Sequence, residues 1–149
     1  MVLLLVSMAA CGSKSNDDSS ASGDDAGNES ANSNITITDM DDAISKFNLD
    51  VMSSEMQPMS EVRLSEAALL AAYENEIADF DKHPSGSMTI EEVSEIIGAD
   101  PSSFFAVSDG EERIFRWFTE DTDAAYVSIG FEDKDGTGVW VHSSVSNNL

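Results

Sequence analysis

Positive charge is the scarcest feature of this chain. Seven Lys and Arg stand against 29 Asp and Glu in 149 residues, a formal charge of −22 and a pI near 4.1. A surface this acidic repels phosphate before contact, which excludes nucleic acid and unaided adsorption to anionic lipid. Cysteine is nearly absent: Cys11 stands alone, so no intramolecular disulfide can form. The two histidines, His83 and His142, are too few for a usual zinc site. They leave a Ser-His-Asp arrangement without its Gly-x-Ser-x-Gly elbow, and no phosphate loop or dinucleotide fingerprint occurs. The expectation is a chain that is not an enzyme and that carries neither cofactor nor metal. Aromatic residues make up only 7%, and most of the larger apolar side chains lie beyond residue 34, so the fold is smaller than the chain.

No apolar run approaches the roughly 20 residues that span a bilayer. The one at the start, Val2 to Val6 followed by Ser7-Met8-Ala9-Ala10-Cys11, fits the apolar region and cleavage site of a secretion signal. The Met-Ala-Ala-Cys tetrad resembles the bacterial lipobox, which implies that residues 1–10 are a signal peptide and that Cys11 becomes the lipid-bearing first residue of the mature protein. Position 8 is Met where a branched aliphatic is usual, and no Lys or Arg precedes the run, so the signal is expected to begin upstream of Met1. A diacylglyceryl, palmitate-bearing cysteine carries enough acyl chain for stable anchoring at the extracytoplasmic face of a bacterial membrane.

Residues 12–34 contain seven Ser, four Asn, four Asp and three Gly and nothing more apolar than Ala. Such a segment cannot bury enough surface to offset its ordering entropy. Together with Cys11 it reads as a disordered linker, residues 11–34, with an r.m.s. reach of roughly 25 Å. One Lys against five acids gives it a net charge of −4, which leaves −18 on residues 35–149. The acidity therefore belongs to the domain more than to its tether.

Residues 35–65 have the weakest pattern and read as a poorly defined extension, with two helical turns over Asp39 to Phe47. Met52, Met56 and Met59 have the spacing of a soft thioether cluster for copper(I), although Pro58 interrupts any helix that would align them. A helix is predicted within Ser60 to Lys82, capped by Ser60 or Ser65, with Leu69, Tyr73, Ile77 and Phe80 on one face and Glu66, Glu74, Glu76 and Asp79 in solvent. A second helix follows the turn at Pro84 to Ser87. Thr89 and Glu92 form a capping box, Met88 and Val93 a hydrophobic staple, and Gly98 a left-handed stop.

Three β-rich runs follow, Glu112 to Thr119, Ala125 to Asp133 and Gly138 to Val145, separated by short polar loops. They predict an antiparallel meander. Period two assigns Phe115, Trp117, Val127, Ile129, Phe131, Val139 and Val141 to the inner face. Arg116, Phe118, Tyr126, Trp140 and His142 then point outward. The loop Asp133-Lys-Asp135-Gly-Thr137-Gly138 matches the first half of a calcium loop, but its twelfth position is Ser144 where a bidentate Glu is needed, so a hairpin turn is the better reading.

The run Gly86-Ser-Met-Thr-Ile-Glu-Glu-Val-Ser-Glu-Ile-Ile-Gly98, with Arg113-Ile-Phe-Arg-Trp-Phe118 and Val127-Ser-Ile-Gly-Phe-Glu-Asp133, resembles SmpA/OmlA (BamE-like) and β-lactamase-inhibitor-like modules of bacterial lipoproteins. The resemblance covers residues 66–145. Ser87 is an insertion relative to the family's Gly-Met-Thr, and residues 35–60 are extra. It implies an α+β domain over residues 66–149, two helices on a three- to four-stranded antiparallel meander, that works by binding proteins. The family's use of its sheet face points to Phe118, Tyr126 and Trp140 as partner contacts. The expected function is thus a membrane-anchored lipoprotein that binds another envelope protein. The alternative is a cation- or ligand-sensing domain using the 133–138 turn for calcium or the methionines for copper.

Overall fold

The computed structural model describes residues 34–149. The segment expected to be a signal peptide, the Cys11 expected to carry lipid and almost all of the expected linker lie outside the described residues. Among those described, three α-helices pack on one face of a five-stranded antiparallel sheet. The class expected from sequence, α+β with an antiparallel meander, is the one found, with one more helix than the two expected and one strand beyond the expected maximum.

Helix α1 (Met40–Phe47) begins where the Asp39 carboxylate accepts the Asp42 amide, and it ends at Asn48 in the left-handed conformation. Strand β1 (Gln57–Pro58) is two residues long. Helix α2 (Glu66–Ala72) is capped by Ser65, whose side chain accepts the Ala68 amide. Ser60 does not cap it: its hydroxyl accepts the Val62 amide, and Leu64 forms a parallel bridge to Thr119 that holds the chain extended. After α2, one turn of π-helix (Tyr73–Ile77) closes with the Ala78 amide bonded to the Tyr73 carbonyl. The helix stops there, short of Lys82. Leu69 and Ile77 are buried, but Phe80 falls in the following turn and is exposed, which corrects its place on the apolar face.

Helix α3 (Ile90–Ile97) has the expected capping box between Thr89 and Glu92 and the expected left-handed Gly98, at φ 89°. Eight residues are too few for a helix to persist alone, so its stability comes from packing. Met88, Ile90, Val93 and Ile97 all enter the core.

Strands β2 (Ser103–Val107), β3 (Glu112–Phe118), β4 (Tyr126–Glu132) and β5 (Val141–Asn148) complete a sheet in which every strand pairs with its sequence neighbour. The inner face is formed by Phe104 and Ala106 of β2, Phe115 and Trp117 of β3, and Val127, Ile129 and Phe131 of β4, all buried. Each fully buried large side chain contributes about 1.5–3 kcal/mol. Trp117 also satisfies its one polar atom, donating Nε1–H to the Ala99 carbonyl at 2.8 Å. Residues 35–49, where the sequence suggests only the two helical turns that α1 forms, supply Ile37, Met40, Ala43 and Leu49 to the same core. Their docking point is Asp100, whose buried carboxylate accepts the amides of Thr36 and Ile37 and the Thr36 hydroxyl.

The third meander strand departs most from expectation. Strand β5 starts at Val141, and a bulge at Gly130/Phe131 leaves Ser143 without a partner between the pairs Gly130–Ser144 and Phe131–His142. One extra residue inverts the side-chain alternation. His142 therefore points inward and is fully buried, whereas Val139 lies before the strand and is 57% exposed.

Candidate functional site

Helix residues enter the core only with inner-face sheet residues; none of the outer-face side chains of β2, β3 or β4 belongs to that core. The outer face is where Arg116 stands. Diagonal neighbours on one sheet face come within reach of long side chains. The Arg116 guanidinium lies 4.3 Å from the centre of the Tyr126 ring on β4 and 4.8 Å from that of Phe105 on β2. Such contacts are worth about 0.5–1 kcal/mol each at partly exposed sites. Arg116 has no carboxylate partner among the described residues, so its charge is held by rings and remains available.

Beside it, Phe118 meets Tyr126 edge to face, with centroids 6.2 Å apart and planes at 84°. The other side of Phe118 is covered by Arg63, 4.8 Å from the ring centre. Arg63 in turn pairs with Asp123 at 2.6 Å. Phe118 is consequently only 5% exposed although it belongs to the outer face, while Tyr126 is half-buried. At the far end of this face, Glu112 crosses over Gly130 and accepts the hydroxyls of Ser143 and Ser144.

The three aromatic residues expected to form one patch are divided by the fold. Phe118 and Tyr126 are register partners. Trp140 lies beyond the opposite end of β4 and on the other side of the sheet, stacked 3.7 Å from the guanidinium of Arg113, whose cross-strand partner is the inner-face Phe131. The reason is the late start of β5, which leaves Trp140 in the connecting loop instead of on a strand. There it borders a cavity of about 210 Å³ beside Asp39, Met40 and Ile90. Burial pulls the Arg113 guanidinium below its ordinary pKa, and the charges of Asp41 and Asp133 oppose that shift.

The Asp133 turn has a structural task. One carboxylate oxygen accepts the Thr137 amide at 3.0 Å and the other the Gly138 amide at 2.8 Å. The methionines diverge: Met59 packs against the core, whereas Met52 and Met56 are exposed. No group of three or more His, Cys, Asp or Glu side chains among the described residues is arranged around a metal position. His142 is enclosed, with Nδ1 accepting the Met88 amide and Nε2 buried without a partner among the described residues. Burial lowers its pKa, a backbone hydrogen bond with Met88 opposes the shift, and His83 and Lys134 add to it.

Sequence reasoning did not single out Arg63, Phe105, Ser103 or Asp100. Phe105 went unnoticed because two adjacent phenylalanines conceal an alternation. Its strand is legible only once Phe104 and Ala106 are seen to share one face and Phe105 and Val107 the other. No family model matches the chain, and neither a curated protein nor a solved structure matches it.

Proposed function

We propose that this chain is a lipid-anchored protein of the extracytoplasmic face of a bacterial membrane, whose α+β domain docks another envelope protein through the outer face of its sheet. The observation that carries the reading is Arg116 held between Phe105 and Tyr126 with no carboxylate partner among the described residues. Arginine and tyrosine dominate the energetics of protein interfaces because both combine large contact area with directed polar groups. In a domain of charge −18, a half-buried cation held by two rings, with Nε lacking a hydrogen-bond partner among the described residues, is the exception that calls for a purpose. The resemblance to SmpA/OmlA-like lipoprotein modules supports the same role, as does the lipobox-like tetrad ending in Cys11. Of the partner-contact residues that the resemblance suggests, Tyr126 fits best. Phe118 contributes as the packed base beneath it, and Trp140 belongs to a separate site.

In-cell photocrosslinking from positions 105 and 126, with the exposed position 95 on α3 as control, tests the docking. Adducts to one defined envelope protein from 105 and 126 but not from 95 are expected. Equal capture from all three, or none from the first two, refutes the reading. The anchor has its own test: Cys11→Ser should move the protein from the membrane to the soluble fraction, and unchanged membrane association rules the lipid out.

A further inference from the structure

Next to the Arg116 site a small cavity of about 190 Å³ opens between the β1–β2 edge and the loop before β4. Its walls are of three kinds. Met56, Pro58 and the ring of Phe118 are apolar, Arg63, Ser102 and Ser103 bring hydrogen-bonding groups, and the Asp123 carboxylate lies on Arg63 at the open side. Ser103 sits on the outward parity of β2, directly across from Arg116. Its residue is 2% exposed, and its hydroxyl is buried without a hydrogen-bond partner among the described residues. A buried hydroxyl left unpaired costs roughly 1–3 kcal/mol, so such groups are rare in folded proteins and call for an explanation. Arg63 has five N–H donors, and the single Asp123 carboxylate can accept only some of them. The cavity therefore has apolar sides and donors in want of an acceptor.

We propose that this cavity is an anchor pocket for a carboxylate on a short apolar stem, presented by the docking partner as a Glu side chain or a chain end. The stem lies against Phe118 and Pro58. The carboxylate takes the Ser103 hydroxyl and the free donors of Arg63, with the unpaired cation of Arg116 nearby to favour negative charge over a neutral amide. Entry needs only movement of exposed groups, since Met56 at the rim is 50% exposed and the Asp123 side chain that tethers Arg63 is 71% exposed. The pocket deepens the docking reading and rests on it for the identity of the ligand's carrier.

Butyrate, an apolar stem with a carboxylate, is the probe, titrated into the full-length protein in detergent and followed by NMR. Saturable shifts at the Met56 methyl and at the amides of Ser103 and Phe118 are expected, with butyramide binding more weakly. Ser103→Ala should weaken butyrate binding by about tenfold or more, the value of one charge-assisted hydrogen bond. It should not lower the thermal midpoint, because it removes a buried group that had no partner. Arg63→Gln should weaken binding at least as much. Shifts that fail to saturate, shifts centred elsewhere, or equal affinity in Ser103→Ala overturn the pocket. The crosslinks from 105 and 126 are independent of it: if they persist while butyrate binding fails, only the pocket is discarded, and if they are absent the docking reading itself falls.

Discussion

The amide of Met88 donates to Nδ1 of His142, 3.1 Å away and 54 residues along the chain. The backbone closes the same junction, with the His142 amide donating to the Met88 carbonyl and the Gly86 amide to the His142 carbonyl, both at 2.8 Å. An imidazole that accepts at Nδ1 must be neutral and carry its proton on Nε2. Protonating Nδ1 would break the bond to Met88 and place a charge in a site already bordered by His83 and Lys134. The folded-state pKa is lowered from 6.5, so the unfolded chain takes up the proton first. Stability from this site is complete above the unfolded value and drains as pH falls below it. Thermal melts between pH 8 and 5 should show wild type losing ground relative to His142→Gln, whose amide oxygen can still accept the Met88 amide. A difference that stays constant with pH contradicts this account.

Asp100 is the second long-range junction. Its buried carboxylate has no cation partner among the described residues and is held instead by the Thr36 amide at 2.9 Å and the Ile37 amide at 3.2 Å, with the Thr36 hydroxyl in addition. Asp100→Ala strands those donors and releases residues 34–38 from the core. We expect a loss of about 2–4 kcal/mol in urea unfolding, the scale of a buried charge-assisted network. Hydrogen exchange at Thr36 and Ile37 should accelerate before that at Phe115. A loss below about 0.5 kcal/mol, the size of an ordinary surface change, would show that the segment docks by its apolar side chains alone.

Both junctions mark the boundary of what the amino-acid pattern discloses. Short-range signals were legible: the Thr89–Glu92 box, the Gly98 stop, and the alternation of Val127, Ile129 and Phe131 concern neighbours a few residues apart. The position of His142 depends on a bulge opposite Gly130, and a one-residue register change alters no composition or propensity. Ile37 and Met40 enter the core from a segment whose backbone Asp100 captures at Thr36 and Ile37, 64 and 63 positions away. The candidate site was half legible for the same reason. Tyr126 and Arg116 followed from period two, while the cover that Arg63 places over Phe118 comes from a segment with no periodicity.

Gly130 provides a local test of packing on the outer face. A β-carbon there would land on the carboxylate of Glu112 and the hydroxyl of Ser144, which are bonded to each other at 2.8 Å above it. Gly130→Ala should cost about 1 kcal/mol by displacing that pair, outweighing the usual gain of replacing glycine in a strand. In a Glu112→Ala background only the Ser144 hydroxyl still obstructs, and freed from its bond to Glu112 it can rotate aside, so the same substitution should be neutral or stabilising. A double-mutant cycle by chemical denaturation measures the coupling. Additive effects would mean that Glu112 does not occupy the space over Gly130 in solution.

The Arg113–Trp140 stack sets two effects of similar size against each other. The cation over the ring at 3.7 Å, helped by Asp41 and Asp133, favours the arrangement by about 0.5–2 kcal/mol. Against it, Nε and Nη1 of Arg113 are buried without hydrogen-bond partners among the described residues, a desolvation cost of comparable size. Arg113→Gln should therefore change stability by less than about 1 kcal/mol. Fluorescence is the more sensitive measurement because the chain has only two tryptophans and Trp117 is 1% exposed. Uncovering the Trp140 ring should shift its emission to the red and increase acrylamide quenching, while the buried Trp117 component stays fixed. If emission and quenching match wild type, the guanidinium does not cover Trp140 in solution.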